Sequence, residues 1–181
     1  RDPEVAAFRP DGVPLGVLDA QCWARPQDDS SGRGRNAKSI DEKESFRWIE
    51  VFQKGAAAAR RMPQTQLVVI TDREGDLYEL HDAAQIGPAN LHALIRAQHD
   101  RKLECHKRLW AFMESQAVGQ RRQLKLPRRR GQPKRTAVVH VRWASVTIEA
   151  PAVGCKKSWP PLTLWAVWVH EPDPPPGTEP I

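Results

Sequence analysis

The sequence predicts an α/β chain in which alternating strands and helices give way to an antiparallel β region. Two observations carry that expectation. Over the first hundred residues, short apolar runs alternate with stretches whose apolar residues recur every three or four positions. Further on, four β-branched or alternating runs are separated by Gly, Pro and Ser. The chain's 181 residues, 40% of them hydrophobic, suffice for one ordinary domain or for a domain carrying an insertion.

Gly12–Pro26 (GVPLGVLDAQCWARP) reads as a strand, entered from the turn signal Pro10-Asp11-Gly12. Gln27–Lys38 is polar and rich in Gly and Ser, the composition of a mobile surface loop. Ser39–Met62 is predicted helical. Ser39 and Glu42 have capping-box spacing, and Phe46, Ile49, Phe52, Ala56 and Ala59 form an apolar stripe. Arg60 and Arg61 suit the negative end of the helix dipole, and Pro63 stops the helix. Gln66–Thr71 (QLVVIT) is a short apolar strand of the kind found inside a covered sheet. Gly75–Gln85 reads as a helix, Leu91–Ala97 (LHALIRA) as another buried strand, and Lys107–Gln116 as a short helix. The four later β runs are RRQLKLP, RTAVVHVRWA, SVTIEAP and PLTLWAVWVHE, with Arg128–Arg135 (RRRGQPKR) as the hairpin tip between the first two. The final EPDPPPGTEPI is Pro-rich, with no core of its own.

Lys and Arg outnumber Asp and Glu by 28 to 22, which favours a polyanionic partner such as nucleic acid. Cys22, Cys105 and Cys155 are far apart and in no C-x-x-C arrangement, so the expectation is a reduced, cytosolic protein with incidental thiols. His99, Cys105 and His106 match no standard zinc spacing. No apolar stretch approaches the ~20 residues of a membrane helix, and no secretory leader is read at the start.

Three features carry chemistry. Asp72 ends a strand, where side chains of an open α/β sheet face the ligand crevice. Its residue type suits a Mg²⁺ ligand, a phosphoacceptor or a helix cap, and Thr71-x-x-Glu74 has capping-box form. Arg128, Arg129, Arg130, Lys134 and Arg135 crowd one Gly/Pro-containing tip, enlarged by Arg121, Arg122 and Lys125, and suit phosphate contact or a solvated hairpin. Trp143, Trp159, Trp165 and Trp168 gather in the β region, where most are expected in the core and exposed ones suit base stacking.

The segment TDREGDLYEL resembles the Asp-Arg-Glu-Ala-Asp motif of bacterial cut-and-paste transposases, the transposon-five family of the fourth insertion-sequence group. PLGVLDAQCWARP and DEKESFRW are similar to that family's preceding strand and helix start. ALIRAQHDRKL is similar to its next strand, and RRRGQPKRTAVVHVRWASVTIEAP to its basic β hairpin. The likeness covers nearly the whole chain from about Leu15, and Gly75 replaces the usual Ala, a change the turn is expected to tolerate.

The resemblance implies a partial RNase H-like catalytic core over residues 11–106, a mostly β insertion with a basic hairpin over 107–170, and a Pro-rich tail over 171–181. It implies two Mg²⁺ or Mn²⁺ ions held by three carboxylates, Asp72 matching the second, for cleavage and joining of transposon DNA ends. Arg73, Glu74 and Asp76 would support Asp72. Arg96, His99, Arg101 and Lys102 would contact DNA with Arg128, Arg129, Arg130, Lys134 and Arg135. The partners implied are transposon-end DNA and a second protomer on that DNA, in the bacterial cytoplasm at the nucleoid, with no membrane. The family's first-strand Asp and its Tyr-x-x-Arg-x-x-x-Glu helix find no match, since the only tyrosine is Tyr78 and His81 follows it. The expectation is therefore a middle piece with one carboxylate of three, inactive alone. Two rival readings remain: a nucleic-acid-binding β module without chemistry, and a non-functional remnant that self-associates through an exposed sheet edge.

Overall fold

The structure, a computed structural model, describes residues 4–20, 46–128, 133–151 and 159–181. The chain divides into two compact units, Arg1–Arg96 and Ala97–Ile181. Mixed α and β elements are present throughout, as the sequence predicts.

The first unit opens with an antiparallel hairpin, β1 (Glu4–Phe8) and β2 (Pro14–Ala20). Its turn closes through Arg9 and Val13, with Gly12 at φ +86°. Strand β1 has no counterpart in the sequence reading, which saw only the strand after the turn. The Gln27–Lys38 loop and the Ser39/Glu42 capping box lie outside the described residues.

Helix α1 (Phe46–Arg61) follows the apolar stripe, burying Ile49, Phe52, Ala56 and Ala59 and closing on Arg60 and Arg61. Strands β3 (Leu67–Thr71) and β4 (Leu91–Ile95) pair in parallel from Leu67↔Leu91 to Thr71↔Ile95. Helix α2 (Tyr78–Gln85) makes the crossover that a parallel pair requires. Phe52, Ala56, Ala59, Leu80 and Leu91 form the core, with Leu67, Val69, Ala93 and Ile95 packed against it. These strand residues alternate, so the opposite face carries Val68, Ile70 and Leu94, exposed at 54%, 70% and 56%. The expectation of a covered sheet with two buried strands is thus corrected: among the described residues, one face is covered and the other is open.

Asn90 joins these elements. Its side-chain nitrogen donates to the carbonyls of Ala59, Met62 and Thr65 at 3.1, 3.0 and 2.9 Å, and its own carbonyl accepts from Leu67 at 2.8 Å. One residue therefore adds a donor to the carbonyls at the end of α1, of which those of Ala59 and Met62 also accept the Met62 and Thr65 amides, and it stands at the entries to both strands.

In the second unit, α3 (Leu109–Glu114) packs on a sheet ordered β5 (Gln120–Leu126), β6 (Arg135–Ile148), β7 (Leu162–His170), all antiparallel. Asp100 accepts the Trp110 amide at 2.9 Å and so caps the start of α3. The two predicted runs RTAVVHVRWA and SVTIEAP are one continuous strand, because Ser145 continues the ladder opposite Trp165 rather than turning it. Along β6 the buried side switches. Ala137 and Val139 are buried near its start and Val146 and Ile148 near its end, on opposite faces. The Pro-rich tail returns to the sheet: Glu171 donates its amide to the Ile181 carbonyl at 2.8 Å.

Asn90 yields a stability test. Asn90→Ala is expected to cost the first unit about 1–3 kcal/mol in chemical denaturation, through lost hydrogen bonds. Asn90→Asp should cost more, since a carboxylate would then face three carbonyl oxygens. Equal effects of the two variants would contradict the donor role.

Candidate functional site

Two surfaces contain the candidate residues, one in each unit. In the first, Asp72 follows β3 and Arg96 follows β4, and the Arg96 amide donates to the Thr71 carbonyl at 3.2 Å. Both side chains are therefore set at the carboxyl edge of the parallel pair, and both residues are exposed. Asp72 also has a local task. Its Oδ1 accepts the Glu74 amide at 2.9 Å and caps a 3₁₀ turn, Arg73–Gly75. The predicted helix start at Gly75 is this turn, and α2 begins at Tyr78 behind Leu77, without a side-chain cap.

The expected Thr71/Glu74 capping box does not form: the Thr71 hydroxyl is buried without a hydrogen-bond partner, and Glu74 instead pairs with Arg47 of α1. Asp76 is buried, 3% exposed, and meets His81 Nε2 at 3.1 Å. Glu74 and Asp76 thus anchor the turn to the two helices. The turn takes Gly75 without strain but leaves no room for a side chain there, because a Cβ would lie 2.4 Å from the Thr71 hydroxyl oxygen.

Among the described residues the donor set does not fit a two-ion site. Among the described residues no three His, Cys, Asp or Glu side chains gather to hold a metal, and Asp72 is flanked by Arg73 and Arg96. One carboxylate beside cations does not hold two divalent ions, which need several oxygen ligands each.

The second surface is the β5–β6 hairpin. Every residue of β5 from Gln120 to Lys125 is exposed, which leaves Arg121, Arg122 and Lys125 open to solvent, joined by Arg128 and Lys134. Arg129 and Arg130 lie outside the described residues. Arg135 differs from its neighbours: it forms a fork with Glu171, Nη2 to Oε2 at 2.8 Å, and reaches the Glu179 carbonyl at 3.0 Å. Its side chain is 13% exposed and that of Glu171 is 3% exposed. Arg135 therefore fastens the returning tail. Lys102 pairs with Glu149 at 2.9 Å, His99 is exposed and Arg101 half-buried.

One face of the sheet in the second unit carries exposed aromatic side chains. Trp165 is 70% exposed, Trp143 48% and Val167 60%, contrary to the core position expected for most tryptophans. Trp143 pairs with Val167 and Ser145 with Trp165, so the two indoles are diagonal neighbours on one face. Trp143 also lies against Gly119, where a Cβ would come within 2.3 Å of its ring. The run LTLWAVWVH is apolar on both faces, so its alternation gives no direction. The available signal was its partner strand, where Ser145 and Thr147 mark the polar side.

No protein-family model matches the chain, and no curated protein matches it. No helix among the described residues is long and apolar enough to cross a membrane.

Two expected outcomes follow from this geometry. Asp72→Ala should destabilise the first unit by about 1 kcal/mol through loss of the cap, whereas Asp72→Asn keeps an accepting oxygen and should melt like the parent. In the second unit, the hydrogen bond from Arg135 holds the Glu171 carboxyl below its ordinary 4.5, against the opposing effect of burial. A depressed carboxyl contributes stability above its ordinary value, and that contribution is lost as pH falls through the folded value. Thermal melts from about pH 6 to about pH 3 should therefore fall less steeply for Glu171→Gln than for the parent.

Proposed function

We propose that this chain is a central region of a DNA transposase of the three-carboxylate, two-metal type, and that its own activity is DNA binding without cleavage. The observation that supports this best is the carboxyl edge of the parallel pair, where Asp72 and Arg96 end adjacent strands. A carboxylate and a guanidinium at that edge suit a DNA phosphodiester: one is a potential metal ligand, the other a phosphate donor. The metal chemistry would need further acids beside Asp72, so no cleavage step is assigned to the residues described.

A non-catalytic nucleic-acid-binding module is the second reading, favoured by the open cations of β5 and the hairpin. The two readings share their first requirement, phosphate contact by Arg121, Arg122, Lys125, Arg128 and Lys134. The exposed Trp143 and Trp165 add stacking surfaces suited to unpaired bases.

Binding of short duplex DNA, followed by anisotropy from about 50 to about 200 mM salt, tests the shared requirement. The parent should weaken steeply with salt. Changing Arg128, Arg129 and Arg130 to Ala should flatten the slope by roughly 0.9 for each phosphate that is no longer neutralised. An unchanged slope removes the hairpin from the interface. The chain alone should cleave no DNA with Mg²⁺ or Mn²⁺; cleavage that Asp72→Asn abolishes would show that it assembles a complete acid set and overturn the binding-only activity.

A further inference from the structure

The helix-bearing face of the second unit carries a row of basic side chains that shares Arg121 with the hairpin surface and extends it to β7. Arg121 on β5, His140 on β6 and His170 on β7 stand directly opposite one another across the three strands. Arg142 lies two residues beyond His140, on the same face. The two imidazoles meet edge to face with centroids 5.6 Å apart, and Trp168 closes on His170 at 5.8 Å. Arg142 donates through Nε to the Gln116 carbonyl and through Nη1 to His170 Nδ1, both at 2.9 Å. Arg121 is exposed and the other three are half-buried, so the row is open to a ligand.

The Arg142–His170 contact has a chemical consequence. A guanidinium only donates, so His170 must accept through a bare ring nitrogen and is neutral. Burial, Arg142 and His140 all favour that neutral form, and Glu114 of α3 opposes them. Protonating His170 removes the acceptor and sets two cations face to face, unless an anion enters between them. A phosphate oxygen can take the place of His170 as acceptor for Arg142, and His170 can then bind a proton and donate to the same phosphate.

Resting on the DNA-binding reading above, we infer that Arg121, His140, Arg142 and His170 form a second phosphate site that takes the DNA backbone and gains a proton as it does so. The proton comes from solvent, and no covalent bond changes. DNA affinity then rises as pH falls, by up to about tenfold per pH unit for one linked proton.

The experiment is duplex-DNA affinity of the full chain between about pH 8 and about pH 6, at fixed ionic strength. The parent should gain on the order of tenfold toward the acid side. His170→Gln keeps an acceptor for Arg142 but does not titrate, and it should bind like the parent at the alkaline end and lose the gain. His140→Gln should reduce the gain, and His106→Asn, which removes an exposed histidine outside the row, should keep it. A gain that survives in His170→Gln, or no gain in the parent, overturns the inference while leaving the DNA-binding reading intact. If the parent binds no DNA at any pH, that reading fails. Inorganic phosphate then decides the site by NMR of the imidazole rings: a raised His170 pKa on adding phosphate supports it, and an unmoved one overturns it.

Discussion

The first unit depends on the hydrogen bonds of one amide. A helix end leaves carbonyls without partners, and a parallel strand pair needs its two entries brought together from distant parts of the chain. Asn90 meets both needs, since its side chain donates to carbonyls in the last turn of α1 and just beyond it while its backbone carbonyl accepts from Leu67 at the entry to β3. With that end secured, the register from Leu67↔Leu91 to Thr71↔Ile95 follows, and Asp72 and Arg96 emerge side by side at the other end. The position of the candidate site is thus set at the far end of the strands, by a residue with no chemical part in it.

The charges of the two units divide into those that hold the fold and those left to meet a partner. Glu74 with Arg47, Asp76 with His81, Arg135 with Glu171 and Lys102 with Glu149 are internal pairs. The exposed cations of β5, with Arg128 and Lys134, face solvent on a hairpin whose edge strand buries almost nothing. Arg135 shows that sequence proximity is a poor guide to membership. It is a near neighbour of Lys134, but its side chain turns to the tail and is bound there by two acceptor residues.

Much of the fold was legible in the sequence where a pattern had one solution. The three- and four-residue spacing of Phe52, Ala56 and Ala59 gives a helix with one buried face, and a β-branched run before Asp72 gives a strand ending at Thr71. Legibility failed where the pattern had two. QLVVIT is apolar on both sides, which suits a covered sheet, yet Val68 and Ile70 are open. Trp143 and Trp165 fail for the same reason, because apolar character on both faces of a strand does not say which is covered. The Thr71 box failed because Asp72 is one residue closer to the turn and its shorter reach captures the Glu74 amide first. The division of the candidate residues into anchors and open groups needed three-dimensional pairing.

The change of buried side along β6 bears on how the second unit can be divided. Its early half contributes Ala137 and Val139 to one apolar layer and its late half contributes Val146 and Ile148 to the other. Hydrogen bonds to β5 and β7 overlap on the stretch between, at His140 and Val141. A chain break there would part the two layers from each other, leaving β5 with the early half and β7 with the late half. New termini made by circular permutation that keep the two layers joined belong outside this strand, since β6 is the central strand and alone bonds both β5 and β7 among the described residues.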